Sequence, residues 1–366
     1  MANAKNVVKK ILIILLVLVL AIVVIVGAYV VYLFTDYKRI EDNFSLQVRE
    51  GSDKVAQIGV DYTALTYNIG FGAYLPDFGF FMDGGTESWA KSKDSVIDTI
   101  DCVNLLIGWL NPDFIMLQEV DEDATRSYHV NERKMIEDSF LSYDSVFAVN
   151  YDSSFLFYPL LQPHGASLAG MLTLSKFNVF TESAIRKSLP VEDSLMKFFD
   201  LDRCYSKMRV QVENGKELVL FTAHLSAYTS DGVVATEQIK ILTDDMQTEY
   251  DKGNYVICGG DFNKDLLGNS ESIFGKSGQG QTWAQPFPTE FLKDKNLSLV
   301  SSLDEQNPVP SCRNADAPYN ENQFVLTVDG FIVSDNVAVK SCRVASEDFL
   351  YSDHNPVQLT FALKTK

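Results

Sequence analysis

Short apolar runs alternate with segments of helical period along most of the chain. The helical period is clearest over residues 91–109, where apolar residues recur every three or four positions until Asn111-Pro112-Asp113 ends the pattern. A second helix is predicted over 237–249. Strands are predicted at 64–69, 114–117, 171–174, 209–212, 218–223, 255–258, 325–332 and 357–363. This order predicts an α/β fold, a four-layer α/β/β/α sandwich in which two packed, mostly antiparallel mixed sheets have helices outside.

The N-terminus departs from this pattern. Residues 11–34 form an unbroken apolar run without charge, long enough for a helix to cross a hydrocarbon core of roughly 30 Å. Three lysines precede the run, whereas only Lys38 and Arg39 follow it closely. The positive-inside rule then places the N-terminus in the cytoplasm and the rest of the chain outside it.

A removable signal peptide is the alternative for this segment. Val26-Gly27-Ala28 would suit cleavage, but the apolar run continues to Phe34, beyond the length of about 7–15 residues that is typical of the hydrophobic region of a signal peptide. We therefore expect an uncleaved, single-pass anchor in the cell membrane. The resulting organisation is a cytoplasmic basic N-terminus at 1–10, a transmembrane signal anchor at 11–34, a polar helical stalk at 35–60 and one folded domain at 61–366.

The charge of the chain belongs to its outer part. Residues 1–35 hold three lysines and no acidic residue, so residues 36–366 carry 28 basic and 49 acidic side chains, a net charge of −21. Such a domain repels polyanions at long range, whereas nucleic-acid binding normally relies on many contacts from Lys and Arg to phosphate. Acidity that merely keeps the protein soluble explains the same composition. Nucleic acid is therefore disfavoured as a partner, though a local basic groove would reverse this.

Five cysteines without a CxxC or Cys/His spacing argue against a zinc site. Cys258 lies in a predicted apolar strand and is expected to be a small core residue. Cys312 and Cys342 would be able to pair in an oxidising compartment, and the sequence leaves this open.

Polar residues stand at the ends of the apolar strands. They are Asn68, Glu119, His224, Asp261 with Asn263, Asp329, and the pair Asp353-His354 that precedes the last strand. Strand ends that cluster at one edge of a sandwich would converge in one pocket. Oxygen ligands without thiolates suit a hard divalent cation, Mg²⁺ or Mn²⁺, which polarises a phosphoryl oxygen. The histidines add a general base and a group that stabilises or protonates.

Each of these residues also has an ordinary structural explanation. Asn68 suits a strand-end turn, Gly259-Gly260-Asp261 suits a tight turn, and a lone histidine such as His224 is more often a hydrogen-bonded core residue than a catalyst. The arrival of all six groups in order along the chain is hard to explain structurally.

These motifs resemble the endonuclease/exonuclease/phosphatase superfamily over residues 62–363. The segments that carry the resemblance are Thr66-Tyr67-Asn68-Ile69, Leu117-Gln118-Glu119-Val120, Thr222-Ala223-His224-Leu225, Gly260-Asp261-Phe262-Asn263, Val328-Asp329-Gly330-Phe331-Ile332 and Ser352-Asp353-His354-Asn355-Pro356. The superfamily includes deoxyribonucleases, abasic-site endonucleases, neutral sphingomyelinases and inositol polyphosphate 5-phosphatases. The resemblance implies a Mg²⁺-dependent phosphoesterase and a catalytic domain at 61–366, in a membrane-anchored member of the bacterial type.

The resemblance also implies roles for the motif residues. Glu119, with Asn68 and Asp353, resembles the metal site. Asp261 and Asn263 resemble the pair that orients the attacking water and the phosphate.

Three further roles are implied for the histidines and their partner. His354 resembles the imidazole that activates water, held in place by Asp329. His224 resembles a second histidine of the deoxyribonuclease and sphingomyelinase branches, which contacts the phosphate or assists the leaving group. The abasic-site branch lacks that histidine, so this branch fits less well. The number of metals and the division of acid and base roles between the two histidines stay open.

Two further residues are candidates for binding phosphate. His164 precedes a stretch that resembles the family's mid-domain glycine-strand-serine segment, and Arg203 would suit bidentate contact with a phosphoryl group. A surface-loop role for His164 and a plain salt bridge for Arg203 are the ordinary alternatives. His129 follows the acidic stretch 121–123 and receives no functional role.

Three loops bear on the substrate. Residues 71–82 form an aromatic loop beside the expected pocket and 155–161 a second apolar stretch, which would be either core under a long loop or a rim that contacts lipid. Trp283 and Phe287 lie in a third, proline-rich loop that would shape specificity.

We therefore expect a monomeric, membrane-anchored hydrolase that cleaves a phosphodiester or phosphomonoester outside the cytoplasm by metal-assisted in-line attack of an activated water. Lipid headgroups or small phosphorylated metabolites suit the acidity better than DNA. An exported endonuclease is the alternative, with a basic groove of Lys207, Arg209, Lys264 and Arg313 as its signature. A catalytically inactive binding module is the third hypothesis, which the intact polar residues of all six motifs argue against.

Overall fold

The computed structural model describes residues 2–37, 39–191, 201–227, 233–277, 285–302, 304 and 306–365. Lys38 and Trp283, which figure in the sequence analysis, lie outside these ranges. The chain divides into two compact units, Met1–Arg39 and Ile40–Lys366.

The first unit consists of helix α1, Ala2–Asp36. Its portion Lys5–Asp36 is long and apolar enough to cross a membrane. A signal sequence near an N-terminus meets the same criterion.

The second unit holds the remaining helices and strands. The helices are α2 (Lys93–Leu110), α3 (Glu132–Ser139), α4 (Val233–Asp251) and α5 (Ser270–Phe274). The strands are β1 (Phe44–Ser45), β2 (Val48–Arg49), β3 (Asp61–Asn68), β4 (Phe114–Ala124), β5 (Asp144–Leu156), β6 (Gly165–Ser175), β7 (Ile185–Ser188), β8 (Cys204–Gln211), β9 (Glu217–His224), β10 (Tyr255–Asp261), β11 (Leu297–Val300), β12 (Cys312–Arg313), β13 (Val325–Leu326), β14 (Asp329–Ser334), β15 (Val337–Val344) and β16 (Val357–Leu363). Short 3-10 turns lie at Gly70–Gly72, Phe81–Asp83, Thr125–Ser127 and Thr289–Leu292.

Two seven-stranded sheets form the centre of this unit. Sheet A has the strand order β1-β7-β8-β9-β10-β14-β11, and sheet B has the order β15-β16-β3-β4-β6-β5-β2. The neighbours β9 and β10 run parallel in sheet A, as do β3 and β4 in sheet B, and the other described pairs are antiparallel. Strands β12 and β13 pair separately from both sheets.

Apolar side chains fill the space between the sheets and the space under the helices. Phe114 and Met116 of sheet B share one buried cluster with Leu220, Ile257 and Phe331 of sheet A. A second cluster packs α2 against the outer face of sheet B, and a third packs α4 against the outer face of sheet A. The predicted four-layer α/β/β/α sandwich is therefore confirmed, because each sheet is apolar on both faces.

The two predicted helices and most predicted strands are present. Helix α2 begins after Ser92, whose side chain accepts a hydrogen bond from the backbone N–H of Ser95 at 3.0 Å, and ends at Asn111 in the left-handed conformation. The strand predicted over 325–332 is two strands, β13 and β14, with a break at Thr327 and Val328. Gly259 and Gly260 lie inside β10 and not in a tight turn.

The helical stalk predicted over 35–60 is wrong for residues 40–60. This segment contains no described helix and belongs to the second unit. Its strand β1 pairs with β7 at the edge of sheet A, and its strand β2 pairs with β5 at the edge of sheet B. The prediction failed because the backbone hydrogen bonds of this segment are made to distant strands. Such pairing leaves no local apolar period in the sequence.

Three of the four residues of the basic groove that would mark a nuclease, Lys207, Arg209 and Arg313, make their contacts within the domain. Lys207 and Arg209 of β8 lie against α4, where the carboxylate of Glu249 accepts from Lys207 at 3.2 Å and from Arg209 at 2.6 Å. Arg313 is buried and donates to the backbone carbonyl of Leu75 at 3.1 Å. The charges of Lys207 and Arg209 are therefore paired within the domain.

Glu249 is buried at the centre of this ion-pair network. Burial alone would raise the pKa of Glu249, but hydrogen bonds from Arg209 and Lys252 and the charges of Arg209 and Lys207 lower it to about 2. An unfolded glutamate has a pKa of about 4.3. The network therefore stabilises the fold fully above pH 4.3, and this contribution is lost as the pH falls toward 2.

We predict that Glu249→Gln lowers the free energy of unfolding at pH 7 by about 3 kcal/mol, because two buried cations lose their charged partner. The difference in unfolding free energy between the variant and the parent should become smaller as the pH is lowered from about 5 to about 3, because Glu249 then takes up a proton in the unfolded chain. Urea unfolding followed by circular dichroism would measure both. Glu237→Gln, which removes an exposed charge from the same helix, is the matched control. A difference that is constant with pH would contradict the prediction.

Candidate active site

Polar residues in or beside six strands meet at one edge of the sandwich. In the parallel pair of sheet A, Asp261 of β10 lies opposite His224 of β9, and the antiparallel neighbour β14 begins there with Asp329. In sheet B, β3 ends at the same edge with Asn68, where its parallel pairing with β4 also ends, and the antiparallel strand β16 begins just after His354. The strand β4 itself continues past Glu119 to Ala124, so the expectation that Glu119 ends a strand is wrong. The strand directions thus bring the predicted groups together.

Asn68 connects the two sheets at this edge. Its amide nitrogen donates to the Glu119 carboxylate and to the Asp261 carboxylate, each at 3.1 Å. Its amide oxygen accepts the backbone N–H of Gly70 at 3.0 Å, and its backbone carbonyl accepts the hydroxyl of Ser352 at 2.8 Å. All hydrogen-bonding groups of the buried amide are therefore used in fixing other residues of the site.

Glu119 lies where β4 departs from regular pairing. The register with β6 shifts between Leu117 and Val120, and Glu119 has a φ of 54° in the left-handed region. A residue other than glycine is held in this conformation only where the surrounding structure requires it, at a cost of about 1–3 kcal/mol. The irregularity directs the Glu119 carboxylate to Asn68.

Asp261 is the acidic residue at the centre of the site. One carboxylate oxygen accepts the backbone N–H of Asn263 at 2.9 Å, while the other lies 3.6 Å from Nε2 of His224 and 3.8 Å from Nε2 of His354. Burial raises the pKa of Asp261 to about 7, and the carboxylate of Asp329 adds to the rise. The group is therefore able to hold or release a proton near neutral pH.

Asn263 and His224 flank Asp261. Asn263 has a φ of 48°, and its side-chain amide donates to the backbone carbonyl of Leu225 at 2.8 Å, which fixes the turn after β10. Burial lowers the pKa of His224 well below its usual value, and the nearby Arg203 guanidinium adds to this effect. His224 is therefore neutral, and its buried Nδ1 has no hydrogen-bond partner among the described residues.

His354 and Asp329 form a buried pair. Nδ1 of His354 lies 2.8 Å from the Asp329 carboxylate, which also accepts the hydroxyl of Ser311 at 2.7 Å. Burial opposes the charged imidazole, but the Asp329 carboxylate and the neighbouring Cys312 and Asp353 outweigh it and raise the pKa of His354 well above its usual value. The pair fixes the ring so that Nε2 faces Asp261.

Cys312 lies beside this pair, with its sulfur 3.6 Å from Nε2 of His354. Burial raises the pKa of the Cys312 thiol to about 12, so that the group is uncharged. All five cysteines are free, and Cys312 and Cys342 are not joined.

The donor set fits a hard divalent cation in two ways. Burial raises the pKa of Asp353, and the carboxylate of Glu119 contributes to that rise, which shows that two acidic groups repel each other here. Such a pair suits a cation between them, as the sequence predicted for Asn68, Glu119 and Asp353. Ligand atoms of Asp261, Asp329 and His354 also lie within 4.8 Å of one another and would be able to hold a metal ion.

These groups line one cavity of about 140 Å³. The predicted site residues that line it are Asn68, Glu119, His164, Arg203, His224, Asp261, Asn263, Asp353 and His354. Arg313, named above for the expected basic groove, also lines it. Asp329 stands behind His354. His164 is therefore not a surface-loop residue, and Arg203 contributes a buried guanidinium that donates to the backbone carbonyl of His224 at 3.4 Å.

Arg126 and Asn150 are two lining residues that the sequence did not indicate. The guanidinium of Arg126 donates to the Asp121 carboxylate at 2.8 and 3.2 Å and lies 3.8 Å from the centre of the Phe71 ring. The buried amide nitrogen of Asn150 has no hydrogen-bond partner within the described part of the chain. The only local signal was the acidic stretch that begins with Asp121, which is buried and holds Arg126.

The aromatic loop at 71–82 is mainly core. Phe71, Tyr74, Phe78 and Phe80 are buried in one cluster under the site, while Met82 is exposed at the cavity wall. Residues 157–161 of the second apolar stretch behave differently, since most of their side chains are exposed. In the third loop, Phe287 is buried against Phe262, with ring centres 5.9 Å apart.

The chain matches the model of the Endonuclease/Exonuclease/phosphatase family over residues 65–354. A comparison with curated protein sequences gives no match. The matched family segment contains every catalytic and metal-site residue predicted above.

Solved structures of similar fold cover most of the chain. An endonuclease/exonuclease/phosphatase from Beutenbergia cavernae is 17% identical with a TM-score of 0.55, and the match covers 83% of this chain and 72% of that one. The catalytic domain of human Nocturnin is 15% identical with a TM-score of 0.53, covering 87% and 97%. ANGEL2, a 2′,3′-cyclic phosphatase, is 16% identical with a TM-score of 0.55, covering 87% and 99%. These similarities concern the fold.

We predict that His164 stays neutral from about pH 8 down to about pH 5. Burial is the main cause that lowers the pKa of His164 to about 3, and the charge of Arg126 adds to it. Carbon-13 labelling of the four histidines allows the ring signals to be followed by NMR. His164→Gln identifies the signal, and the exposed His129 provides the reference for a solvent-accessible ring. A midpoint above about pH 5.5 would show that the site is open and hydrated at His164.

Proposed function

The chain belongs to the endonuclease/exonuclease/phosphatase family, and on that premise we propose that it is a divalent-metal-dependent phosphoesterase that hydrolyses a phosphodiester or phosphomonoester outside the cytoplasm. Members of this family are hydrolases that act on phosphate ester bonds. The observation that carries the proposal is the cavity in which the Asp329–His354 pair, Asp261 and Glu119 converge on one point.

The acidic groups would hold the metal. Glu119 and Asp353, with Asn68 beside Glu119, provide oxygen ligands of the kind that Mg²⁺ or Mn²⁺ prefers. When bound, such an ion neutralises charge on a phosphoryl oxygen and on the leaving oxygen.

The residues on the sheet A side would position the water and move its proton. Asp261 is fixed by the N–H of Asn263 and the amide of Asn68, so its free lone pairs face the two imidazoles. Asp329 holds the His354 ring with Nε2 directed into the cavity. Asp261 is placed to accept the proton of the attacking water, since the raised pKa of His354 leaves its ring charged as a hydrogen-bond donor. Neutral His224 is placed to donate a hydrogen bond to the phosphate.

The charge distribution supports a small or lipid-borne phosphate ester over a nucleic acid. The region after residue 35 has a net charge of −21, and two of the four residues of the expected basic groove, Lys207 and Arg209, are paired with carboxylates of α4. An exported endonuclease would need a different basic surface to offset repulsion from the DNA backbone.

The location outside the cytoplasm rests on the N-terminal helix. Its portion Lys5–Asp36 is long and apolar enough to span a bilayer, and the lysines before it would keep the N-terminus in the cytoplasm. The second unit would then be exported.

We predict that Asp261→Asn and His354→Gln each reduce turnover of bis(p-nitrophenyl) phosphate by about 1000-fold or more, because each removes a group that positions or moves the proton of the water. The assay uses the full chain in detergent micelles with Mg²⁺. His129→Gln, which removes an exposed histidine, should retain the parental rate. Near-parental turnover in both site variants, with intact circular dichroism spectra, would refute the assignment.

We also predict that Glu119→Gln raises the Mg²⁺ concentration needed for half-maximal activity by about 10–100-fold, because one anionic ligand becomes neutral. EDTA should abolish the activity of the parent, and added Mg²⁺ should restore it. His354→Gln should leave the metal requirement of its residual activity unchanged. Full activity of the parent in EDTA would contradict the metal-dependent proposal, and an unchanged metal requirement in Glu119→Gln would contradict the role of Glu119.

A further inference from the structure

The hairpin between β5 and β6 carries an exposed apolar tip. We call residues 157–161 the β5–β6 tip; its members are Phe157, Tyr158, Pro159, Leu160 and Leu161. Leu161 is fully exposed, Leu160 is 83% exposed and Tyr158 is 64% exposed. Contiguous apolar side chains in water are unfavourable, and a surface of this kind marks a site of association.

The β5–β6 tip continues into the wall of the active-site cavity. The ring centre of Tyr158 lies 5.7 Å from that of Phe81, whose ring centre lies 5.9 Å from that of His164. His164 and the exposed Met82 both line the cavity. An apolar phase that covers the tip would therefore lie directly beside the cavity.

The hairpin has no charged residue near its tip. Between Asp152 and Lys176 the titratable side chains are Tyr158 and His164, and burial keeps His164 neutral. A tip without Lys or Arg enters a bilayer by burial of its Leu and aromatic side chains, and Tyr is suited to the boundary between hydrocarbon and water.

We propose that the β5–β6 tip inserts into the interface of a lipid bilayer and that the adjacent cavity takes its phosphate ester from a lipid headgroup. The inference rests on the proposed phosphoesterase function and specifies the substrate. Water adds its oxygen to the lipid phosphorus, the bond from phosphorus to one ester oxygen breaks, and that oxygen takes the proton released from the water.

Two observations favour a bilayer over a second copy of the chain as the occupant of the tip. A stable protein interface takes about 20–30 residues from each side, far more than the five residues of the tip and its neighbours Phe81 and Met82 provide. The region after residue 35 has a net charge of −21, so two copies repel each other. Helix α1, which is long enough to span a bilayer, would supply the surface at high local concentration.

The first test measures insertion without turnover. The full chain carrying Leu161→Trp is reconstituted into phosphatidylcholine vesicles that contain doxyl-labelled phosphatidylcholine, and quenching of tryptophan fluorescence is compared with that of the parent. Glu182→Trp, at an exposed polar position, is the matched control. The expected result is quenching at position 161 that exceeds that at 182 by about threefold and persists in 1 M salt (~3 Å screening length). Equal quenching at the two positions would overturn the proposal.

The second test measures the substrate. The double variant Leu160→Ser/Leu161→Ser should hydrolyse bis(p-nitrophenyl) phosphate at the parental rate within about twofold, because neither residue lines the cavity. It should hydrolyse vesicle phosphatidylcholine, measured by mass spectrometry of the products, at least about tenfold more slowly than the parent. Leu105→Ser/Trp109→Ser removes equally exposed apolar side chains from α2 and should leave both rates unchanged.

The outcomes separate the two proposals. Equal lipid hydrolysis by the parent and the tip variant, or no lipid hydrolysis by a parent that cleaves the soluble ester, would overturn the lipid inference and leave the phosphoesterase function intact. Inactivity of the parent on both esters would overturn the proposed function, and with it the substrate part of the inference, while the quenching experiment still decides whether the tip inserts. A dimer in micelles that dissociates in the tip variant would show that a second copy covers the tip, which overturns the proposal.

Discussion

A single amide side chain ties the two sheets together where the chemistry is expected. Asn68 ends a strand of sheet B, and its nitrogen donates to Glu119 in the same sheet and to Asp261 in sheet A. Without this shared donor, the buried carboxylate of Asp261 and the partly buried carboxylate of Glu119 would lack the neutral group that lies between them. The bridge also bears on the two histidines of the site, since Asp261 in turn faces the imidazoles of His224 and His354.

The site concentrates acidic groups that are costly to bury. Burial raises the pKa of Asp261 and of Asp353, so the fold holds these carboxyl groups where their charged forms are disfavoured. The strands β9 and β10 lie close together at this site. A Cβ on Gly260 would lie 2.1 Å from the carbonyl oxygen of Ala223, so only glycine lets β10 approach β9 here. The same glycine that resembled a turn in the sequence is thus a packing requirement of the site.

The sequence predicted the layers and the site because both depend on short patterns. Apolar runs identify buried strands, and the polar residues Asn68 and Asp261 stand where the strands β3 and β10 end. Glu119 differs, because β4 continues past it to Ala124. The sequence did not indicate Arg126, whose position depends on Asp121 and Phe71 in the folded chain. Likewise, an apolar segment is read as core by composition alone, whereas Leu161 is exposed because the hairpin extends beyond the layers that would cover it. Ion pairs between distant elements, as at Lys207, leave no local pattern either.

The segment 40–60 has a practical consequence for recombinant work on this protein. Because β1 and β2 lie at the open edge of each sheet, a fragment that starts at residue 61 would lack both edge strands. The backbone N–H and C=O groups of β7 and β5 would then be free to pair with other molecules, which is a common route to inclusion bodies. A soluble fragment should therefore begin at or before Ile40, where the second compact unit starts.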